Sequence, residues 1–450
     1  MKIKRVALAV WLAAFSIVLG SVCFAQDSAP RMEQIVQSYV ANKTFMGSVL
    51  VVRDKTVLLE RGYGSADLEW DIPNSPTTKF RLGSITKQFT AASILLLEER
   101  GKLSIDDPVK KYMPDAPAAW DKVTIYNLLT HTSGIPSFTG FPDYEATERT
   151  ATTPEQLVAR FRDKPLEFQP GEKFEYDNSG YVLLGYLIEK VSGQTYAQFV
   201  QENIFTPLGM KDSGYDSNTA IIVHRASGYT KGKEGIENAG YVHMTIPFAA
   251  GSLYSTVEDL VRWEQGLFGG KVLSAASLQK MTTPFKSDYA FGLAVSSANG
   301  HKAIEHGGGI EGFNTHLAYY PDDKLIVVVL GNLNGSAPGD IAHKLAAVAH
   351  GETVVLASER KEMTVAPAIL ANYVGTYEAS PTFAFAMTLE GGQLMTQATG
   401  QGKLPLFAES ETKFFLKAVD AEVDFVKNDK GEVTGMVLHQ GGQDIKATKK

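Results

Sequence analysis

Cysteine and clustered histidine are what this chain lacks most. Its only cysteine is Cys23, so the chain can form neither an intramolecular disulfide nor a metal site of several thiolates. The nine histidines are dispersed, without a His-Glu-x-x-His spacing. We therefore expect no metal and no other cofactor.

Positive charge is also scarce. The chain has 43 lysines and arginines against 50 aspartates and glutamates, which gives a net charge of −7. This balance argues against nucleic acid and anionic membrane surfaces as main partners. With 450 residues, 44% of them hydrophobic, the chain can bury a large core and is long enough for two or three domains.

The first 25 residues have the pattern of a signal peptide. Three basic residues among the first five precede an uncharged run from Val6, and small residues occupy positions 23 and 25. Cleavage would remove Cys23 and make the net charge more negative by three. We expect export to the periplasm or secretion. The alternative is an uncleaved membrane anchor, since no charge follows the basic residues until Asp27.

A Gly-x-Ser-x-Gly nucleophile elbow is absent too, so a conventional Ser-His-Asp triad lacks its turn. Three other motifs are present: Ser-x-x-Lys from Ser84 to Lys87, Tyr-x-Asn from Tyr176 to Asn178, and His-Gly-Gly from His306. They supply a hydroxyl nucleophile, groups able to accept its proton, and a glycine-rich strand for an acyl substrate. This combination is typical of a covalent serine hydrolase that needs no metal.

Context separates Ser84 from chance matches to the same motif. An apolar periodic run, residues 89–97, follows Ser84, and helical residues three apart share a face. Ser84 and Lys87 are therefore predicted to meet at the buried N-terminal turn of a core helix. The other three matches lie in polar surroundings, which favours ordinary surface serines. They begin at Ser277, Ser358 and Ser410.

The second and third motifs are ambiguous when each is taken alone. Asn178 could cap a helix with Tyr176 packed beside it, and His306 could be incidental to a glycine-rich turn. The coarse pattern predicts an amphipathic helix over residues 31–41, a hairpin around residues 54–55 and helices from 84 to about 270. Strands then follow near residues 291–296, 313–320 and 324–330, before a last helix over 341–350.

The motifs and their flanks resemble the class C β-lactamase-related serine hydrolases, a family that includes D-Ala-D-Ala carboxypeptidases, D-amino-acid peptidases and esterases. Further matching stretches are residues 80–90, 128–134, 207–210 and 250–255. The resemblance covers about residues 30–350. It implies an α+β, β-lactamase/transpeptidase-like fold, with an antiparallel sheet flanked by helices, a helical subdomain, and the motifs at the cleft between them.

The resemblance also implies roles for the motif residues. Ser84 would be the nucleophile, with either Lys87 or Tyr176 as the main base, and Asn178 would bind Lys87 and the substrate amide. The backbone N–H groups of Ser84 and Gly309 would hold the oxyanion.

Two further positions bear on the substrate. Gly308 and its neighbours would let the substrate backbone approach the strand. His306 stands where β-lactamases usually have lysine. This weakens the case for an efficient β-lactamase and favours ester or D-peptide substrates. His131, within residues 128–134, is interpreted as a brace for a loop beside the cleft.

The chain changes character after residue 350. Residues 351–364 read as a linker, and residues 365–450 show short alternating runs separated by glycine-rich turns, as in a small all-β, barrel-like domain. Residues 373–377 resemble the β-barrel tails of some of these hydrolases. The predicted organisation is a signal peptide (1–25), a hydrolase domain (30–350), a linker and a β domain.

The predicted function is an exported serine hydrolase acting on small esters, amides, D-amino-acid peptides or β-lactams. The alternatives are a non-catalytic penicillin- or peptidoglycan-binding sensor that keeps its acyl adduct, and a scaffold whose β domain binds a partner.

Overall fold

The computed structural model describes residues 28–298, 300–419, 421–440 and 443–450. The predicted signal peptide, residues 1–25, lies outside them. The chain divides into two compact units between residues 342 and 343. None of the helices within the described ranges is long and apolar enough to cross a membrane.

The strands of the first unit come from both ends of its sequence. They are β1 (Gly47–Arg53), β2 (Thr56–Tyr63), β3 (Ser65–Asp67), β4 (Ile72–Pro73), β5 (Phe80–Arg81), β6 (Gly214–Tyr215), β7 (Tyr229–Lys231), β8 (Ile236–Asn238), β9 (Leu253–Ser255), β10 (Ala294–Ala298), β11 (His301–Ile310), β12 (Phe313–Tyr320) and β13 (Leu325–Gly331). Six of them form one antiparallel sheet in the order β10-β11-β12-β13-β1-β2. Pairing of β1 with β13 joins the two distant segments into one sheet.

Helices fill the sequence between these strands. They are α1 (28–41), α2 (Thr86–Glu99), α3 (Ile125–Leu129), α4 (Tyr144–Thr147), α5 (Pro154–Arg162), α6 (Asn178–Ser192), α7 (Tyr196–Val200), α8 (Thr206–Leu208), α9 (Phe248–Gly251), α10 (Val257–Phe268) and α11 (Ala275–Thr282), with α12 (Ala337–Ala349) crossing the boundary between the units and α13 (Pro367–Leu370) in the second unit. The central helix is α2, whose residues 86–97 are all buried and which packs against α6 and α9. A helix that is buried all round needs no polar face, which explains the long apolar run after Ser84.

Several predicted boundaries are confirmed and others are shifted. The hairpin of β1 and β2 turns at residues 54–55 as predicted, and Thr153 and Gln156 form a capping box at the start of α5. Strand β10 begins three residues later than predicted, because Gly292 adopts a left-handed φ of 68° just before it. Helix α12 begins at Ala337 rather than at Ile341.

The second unit is a barrel-like all-β structure. Its nine strands are β14 (Gly375–Ser380), β15 (Phe383–Glu390), β16 (Gln393–Ala398), β17 (Leu404–Pro405), β18 (Phe407–Ala408), β19 (Lys413–Leu416), β20 (Ala421–Lys427), β21 (Val433–Gln440) and β22 (Gln443–Lys449). They pair antiparallel in the order β17-β16-β15-β14-β22-β21-β20-β19-β18. The core includes Tyr373 stacked on Phe425 with ring centroids 4.2 Å apart. Within residues 351–364 the structure has one short 3₁₀ turn, Ala357–Glu359.

Candidate active site

Ser84 lies in a tight 3₁₀ turn, Gly83–Ile85, that leads directly into α2. Gly83 has a φ of 55°, and a Cβ atom there would lie 2.7 Å from the backbone nitrogen of Gly309. Only glycine accepts this conformation and this contact without strain. The result is that the Gly309 backbone lies against the turn that carries Ser84.

Lys87 lies on the first turn of α2 and is fully buried. Its Nζ atom donates hydrogen bonds to Ser84 Oγ at 3.0 Å, to Asn178 Oδ1 at 2.8 Å and to the carbonyl of Ala250 at 3.0 Å. The predicted meeting of Ser84 and Lys87 is therefore confirmed. Three acceptors at these distances use all three donor positions of an ammonium group.

Burial lowers the pKa of Lys87 to about 7, because the charged amine is removed from water; the negative charge of Asp177 opposes this shift. The carboxyl of Asp177 is itself deeply buried, and its pKa is raised to about 7. Its shift also comes mainly from loss of hydration, against hydrogen bonds from the backbone of Gly180 and Ser179. The site thus holds an amine that can lose its proton near neutral pH.

Tyr176 lies on the other side of the Lys87 amine. Its ring centre is 4.9 Å from Lys87 Nζ, and its hydroxyl is hydrogen-bonded with Ser84. Loss of hydration raises the pKa of Tyr176 above its usual value, and the hydrogen bond with Ser84 offsets this rise only in part. Although the ring is enclosed by neighbouring side chains, 38% of the residue stays exposed, where it lines the cleft. The phenol therefore keeps its proton at neutral pH.

Asn178 is the first residue of α6 and points its amide at Lys87. Its Oδ1 accepts from Lys87 Nζ, and its Nδ2 donates to Thr139 Oγ1 at 3.1 Å. The helix is capped by Asp177, whose carboxylate accepts from the Gly180 N–H. The helix-cap interpretation of Asn178 is wrong for this reason: its side chain is already engaged by two partners, and the preceding residue does the capping.

Strand β11 passes Ser84 through a run of glycines. A Cβ atom on Gly308 would lie 1.9 Å from the carbonyl oxygen of Leu82 and 2.3 Å from Thr315 Oγ1. Thr315 in turn donates a hydrogen bond to that same carbonyl at 2.8 Å. The strand therefore packs backbone against backbone next to the Ser84 turn, which no larger residue at position 308 would permit.

His306 is buried at the start of the glycine run, and both of its ring nitrogens are engaged. Nδ1 lies 2.5 Å from the carbonyl oxygen of Gly307, so this nitrogen carries the proton. Nε2 lies 3.0 Å from the hydroxyl of Tyr289 and accepts from it. Burial, helped by the positive charge of Lys87, lowers the pKa of His306 to about 4, and the ring is neutral at physiological pH.

A cavity of about 380 Å³ connects these groups. Of the residues predicted from the sequence, it is lined by Ser84, Tyr176, His306, Gly308 and Gly309. Lys87 and Asn178 do not line the cavity. They are joined to it by the hydrogen bonds that Lys87 Nζ donates to Ser84 Oγ and to Asn178 Oδ1. All seven predicted site residues are thus brought together. The lining contains no lysine or arginine.

His131 lies under the Tyr176 ring rather than next to Ser84. The two ring centroids are 4.3 Å apart, and His131 Nδ1 accepts the backbone N–H of Asp177 at 3.1 Å. The residue is fully buried with a φ of 54°, and burial lowers its pKa well below the usual range. A neutral ring that fixes the backbone between Tyr176 and Asn178 fits the interpretation of His131 as a brace.

Sequence reasoning assigned no role to several residues at the site. Asp177 could have been found, because an aspartate directly before an apolar helical run is a strong cap signal. Tyr289 lies in a loop and Thr139 in a short 3₁₀ helix, Phe138–Gly140, and neither segment carries a motif. His316 lines the cavity, and its Nε2 lies 3.0 Å from Oε2 of Glu305; both side chains are of types that can ligate metals.

Comparison with known proteins agrees with this fold and cleft. A family model described as Beta-lactamase matches residues 32–352, and one described as a domain of unknown function (DUF3471) matches residues 359–449. Penicillin-binding protein 4* of Bacillus subtilis (strain 168) is 28% identical over 454 residues, with 94% of this chain and 99% of that protein covered.

Two solved structures are also similar. The octameric penicillin-binding protein homologue from Pyrococcus abyssi shares 30% identity at a TM-score of 0.65, over 91% of this chain and 97% of its own. A D-stereospecific amidohydrolase from Streptomyces sp. shares 27% identity at a TM-score of 0.58, over 66% of this chain and 93% of its own. Since the family match spans most of the sequence and includes the whole Ser84 cleft, this chain belongs to the β-lactamase family of serine hydrolases and penicillin-binding proteins.

Proposed function

We propose that the protein is an exported serine hydrolase that cleaves ester or amide bonds, including those of D-amino-acid amides, through an acyl-enzyme on Ser84. The observation that carries this proposal is the 3.0 Å contact between Ser84 Oγ and a buried amine, Lys87, whose pKa is lowered to about 7. A serine hydroxyl is a weak nucleophile until a nearby base takes its proton. A partly neutral lysine at this distance is such a base.

In the first step, Ser84 Oγ bonds to the substrate carbonyl carbon while its proton passes to neutral Lys87. The carbonyl oxygen becomes negative, and the backbone N–H groups of Ser84 and Gly309 would stabilise it, at about 3 kcal/mol for each donor. The bond to the leaving nitrogen or oxygen then breaks. Water attacks the acyl-enzyme in the second step and restores the Ser84 hydroxyl.

Tyr176 would act as a proton relay rather than as the main base. Its raised pKa keeps the phenol protonated at neutral pH, and its hydroxyl is hydrogen-bonded with Ser84. A protonated phenol can donate to the leaving group and recover a proton from Lys87. Asn178, bound to Lys87, would hold the amine in place and present its amide to the substrate.

The substrate class follows from the charge of the cleft. His306 is neutral at physiological pH and uses both ring nitrogens within the protein, and the cavity lining contains no lysine or arginine. The site therefore offers little permanent positive charge to a substrate carboxylate. Esters and amides are favoured over β-lactams, whose carboxylate β-lactamases recognise.

The domain organisation and export are part of this proposal. The hydrolase domain would span residues 30–350, and the linker and the β domain would occupy residues 351–364 and 365–450. Residues 1–25 would be removed as a signal peptide. Mass determination of the protein from the culture medium or periplasm would establish whether cleavage occurs.

A substrate panel tests the activity. Purified protein is incubated with a short p-nitrophenyl ester, a D-amino-acid p-nitroanilide, a D-Ala-D-Ala peptide and a chromogenic cephalosporin, while product and intact mass are recorded. Turnover of the ester or anilide without a lasting adduct supports the hydrolase. A stable one-to-one adduct without turnover supports the penicillin-binding sensor, and no reaction with any substrate supports a scaffold.

A further inference from the structure

The sheet of the second unit curls back on itself and encloses an interior. Its first and last strands are β17 (Leu404–Pro405) and β18 (Phe407–Ala408), and only Leu406 separates them in the chain. The two ends of the nine-stranded sheet therefore lie next to each other. A barrel of about this strand number has room inside for packed side chains or for one small ligand.

Aromatic side chains fill one end of this interior. Tyr373 stacks on Phe425, and Phe414 meets both rings edge-on with centroids 5.5 Å away. The ring of Tyr377 lies 5.6 Å from that of Phe425. All four residues are buried. A packed aromatic cluster therefore closes this end of the barrel.

The other end contains a cavity of about 110 Å³. On β20 the inward-facing side chains become smaller towards this cavity, from Phe425 through Val423 to Ala421. On β16 the cavity is lined by Thr396 and Ala398, which share one face of the strand. The cavity exists because small side chains occupy the positions to which the aromatic cluster does not extend.

The lining of the cavity carries no charge. Among the described residues that form it, most are aliphatic or aromatic, and the polar side chains are those of Thr396, Gln401 and Gln440. Gln401 is exposed and Gln440 is half-exposed, whereas Thr396 is only 9% exposed. A charged ligand would lose its hydration here without gaining an oppositely charged partner. The cavity therefore suits an uncharged molecule.

Thr396 supplies one buried hydrogen-bonding group. Its backbone pairs with Met387 in the sheet, but its hydroxyl has no hydrogen-bond partner in the part of the chain that the structure describes. A buried water molecule needs two to four polar partners, and Thr396 is the single buried polar side chain among the described lining residues. A hydroxyl on an otherwise apolar ligand would pair with Thr396 at a smaller cost, because the rest of the ligand would replace water against the apolar walls.

We propose that this cavity binds an uncharged, ring-sized molecule that carries one hydroxyl group, such as a phenol. Thr396 would bond the hydroxyl, and Phe385, Leu416 and Leu438, which line the cavity, would contact the ring. An engineered apolar cavity of about 150 Å³ binds benzene, so this cavity is of the right order for one ring. The site lies within the second unit and does not depend on acyl transfer to Ser84.

Fluorinated probes test the site in the purified protein. The two compounds 4-fluorophenol and 4-fluorotoluene have nearly the same shape and differ in a hydroxyl or a methyl group, and 4-fluorobenzoate adds a negative charge. Dissociation constants are measured by ¹⁹F NMR titration at pH 7, where the phenol is uncharged. We expect 4-fluorophenol to bind with a Kd of about 0.1–1 mM, and 4-fluorobenzoate to bind at least about tenfold more weakly.

Thr396→Val removes the hydroxyl and keeps the shape of the side chain. It should raise the Kd of 4-fluorophenol about tenfold and leave that of 4-fluorotoluene within about twofold. Thr388→Val is the matched control, because Thr388 lies on the neighbouring strand β15 outside the cavity lining, where its hydroxyl bonds to Glu390. This control should change neither Kd.

A second pair of variants tests the position of the ligand. Ala398→Leu puts three additional carbon atoms into the cavity and should weaken the binding of both 4-fluorophenol and 4-fluorotoluene at least about tenfold. Ala386→Leu makes the same change on an exposed position of β15, and it should leave both Kd values as in the wild type.

Four results would overturn the proposal. They are no binding of 4-fluorophenol to the wild type, binding of 4-fluorobenzoate as tight as that of the phenol, an unchanged phenol Kd in Ala398→Leu, and an unchanged phenol Kd in Thr396→Val. Should Ala398→Leu fail to fold, Thr396→Val alone decides, because it keeps the volume of the side chain. None of these results bears on the Ser84 chemistry, which the substrate panel tests separately.

Discussion

The Nζ atom of Lys87 lies 3.0 Å from the Oγ atom of Ser84, with no water-exposed surface on the lysine. This single relationship connects the packing of the core to the chemistry of the cleft. Because α2 is buried on all sides, the amine one turn from Ser84 cannot be hydrated, and its pKa falls to about 7. The burial that stabilises the fold therefore also lowers the pKa of the Lys87 amine, so that the amine can act as a base.

The pH dependence of acylation should report this amine. Lys87 must be neutral to take the Ser84 proton, so kcat/KM should rise with pH through an inflection near 7 and then level off. Asp177→Asn removes the negative charge that holds the Lys87 pKa up, while asparagine can still cap α6. The inflection should therefore move to lower pH, measured as kcat/KM for a p-nitrophenyl ester.

The control for this experiment is Glu155→Gln, which changes an exposed carboxylate at the start of another helix. It should leave the inflection where it is in the wild type. An inflection that Asp177→Asn leaves in place, or moves upwards, would contradict the assignment of Lys87 as the base.

The backbone contact at Gly308 should be intolerant of any side chain. Gly308→Ala puts a Cβ atom 1.9 Å from the Leu82 carbonyl oxygen, so β11 must move away from the Ser84 turn. Since displacements near 1 Å can cost about 100-fold in rate, we expect kcat/KM to fall by about that factor. Gly307→Ala is the matched control, because its Cβ would meet nothing closer than 3.7 Å, and it should retain activity within a few-fold. Equal losses in both variants would show that the contact at position 308 is not decisive.

A buried acid outside the cleft should make stability depend on pH. Glu264 on α10 is 2% exposed, its Oε2 has no hydrogen-bond partner among the described residues, and burial raises its pKa to about 8. A carboxyl whose folded pKa lies above its unfolded value binds its proton more tightly in the folded state. Stability is therefore lost as pH rises from about 4.5 towards 8.

Glu264→Gln should remove this loss. We expect the variant to gain up to about 4 kcal/mol over the wild type between pH 5 and pH 9, measured from denaturant midpoints at both values. Glu258→Gln, on a half-exposed position of the same helix, is the control and should show no such gain. A wild-type protein whose stability relative to Glu264→Gln is the same at both pH values would rule out the buried charge.

Local spacing was enough to predict the contact between Ser84 and Lys87. Ser84 and Lys87 are three residues apart before a continuous apolar run, and helix geometry alone then requires that they meet. The convergence of Tyr176 and His306 on them was predictable only through the family resemblance, because nothing in their spacing fixes a contact across such separations.

Other contacts at the site depend on how distant segments of the chain fold together, and no sequence motif predicts them. Tyr289 reaches His306 from the turn before β10, a loop without a motif. The choice of Asp177 over Asn178 as the cap of α6 was open, since both residue types cap helices. The structure decides it because the Asn178 side chain is held by Lys87 and Thr139.

The most direct test of the account is the intact mass of the protein after reaction with an active-site organophosphonate or a slowly hydrolysed ester. The wild-type protein should gain one adduct, located by peptide mapping on Ser84, and Ser84→Ala should gain none and lose turnover. Lys87→Ala should form the adduct at least about 100-fold more slowly. Full activity in Ser84→Ala, or an adduct on a different residue, would contradict the account.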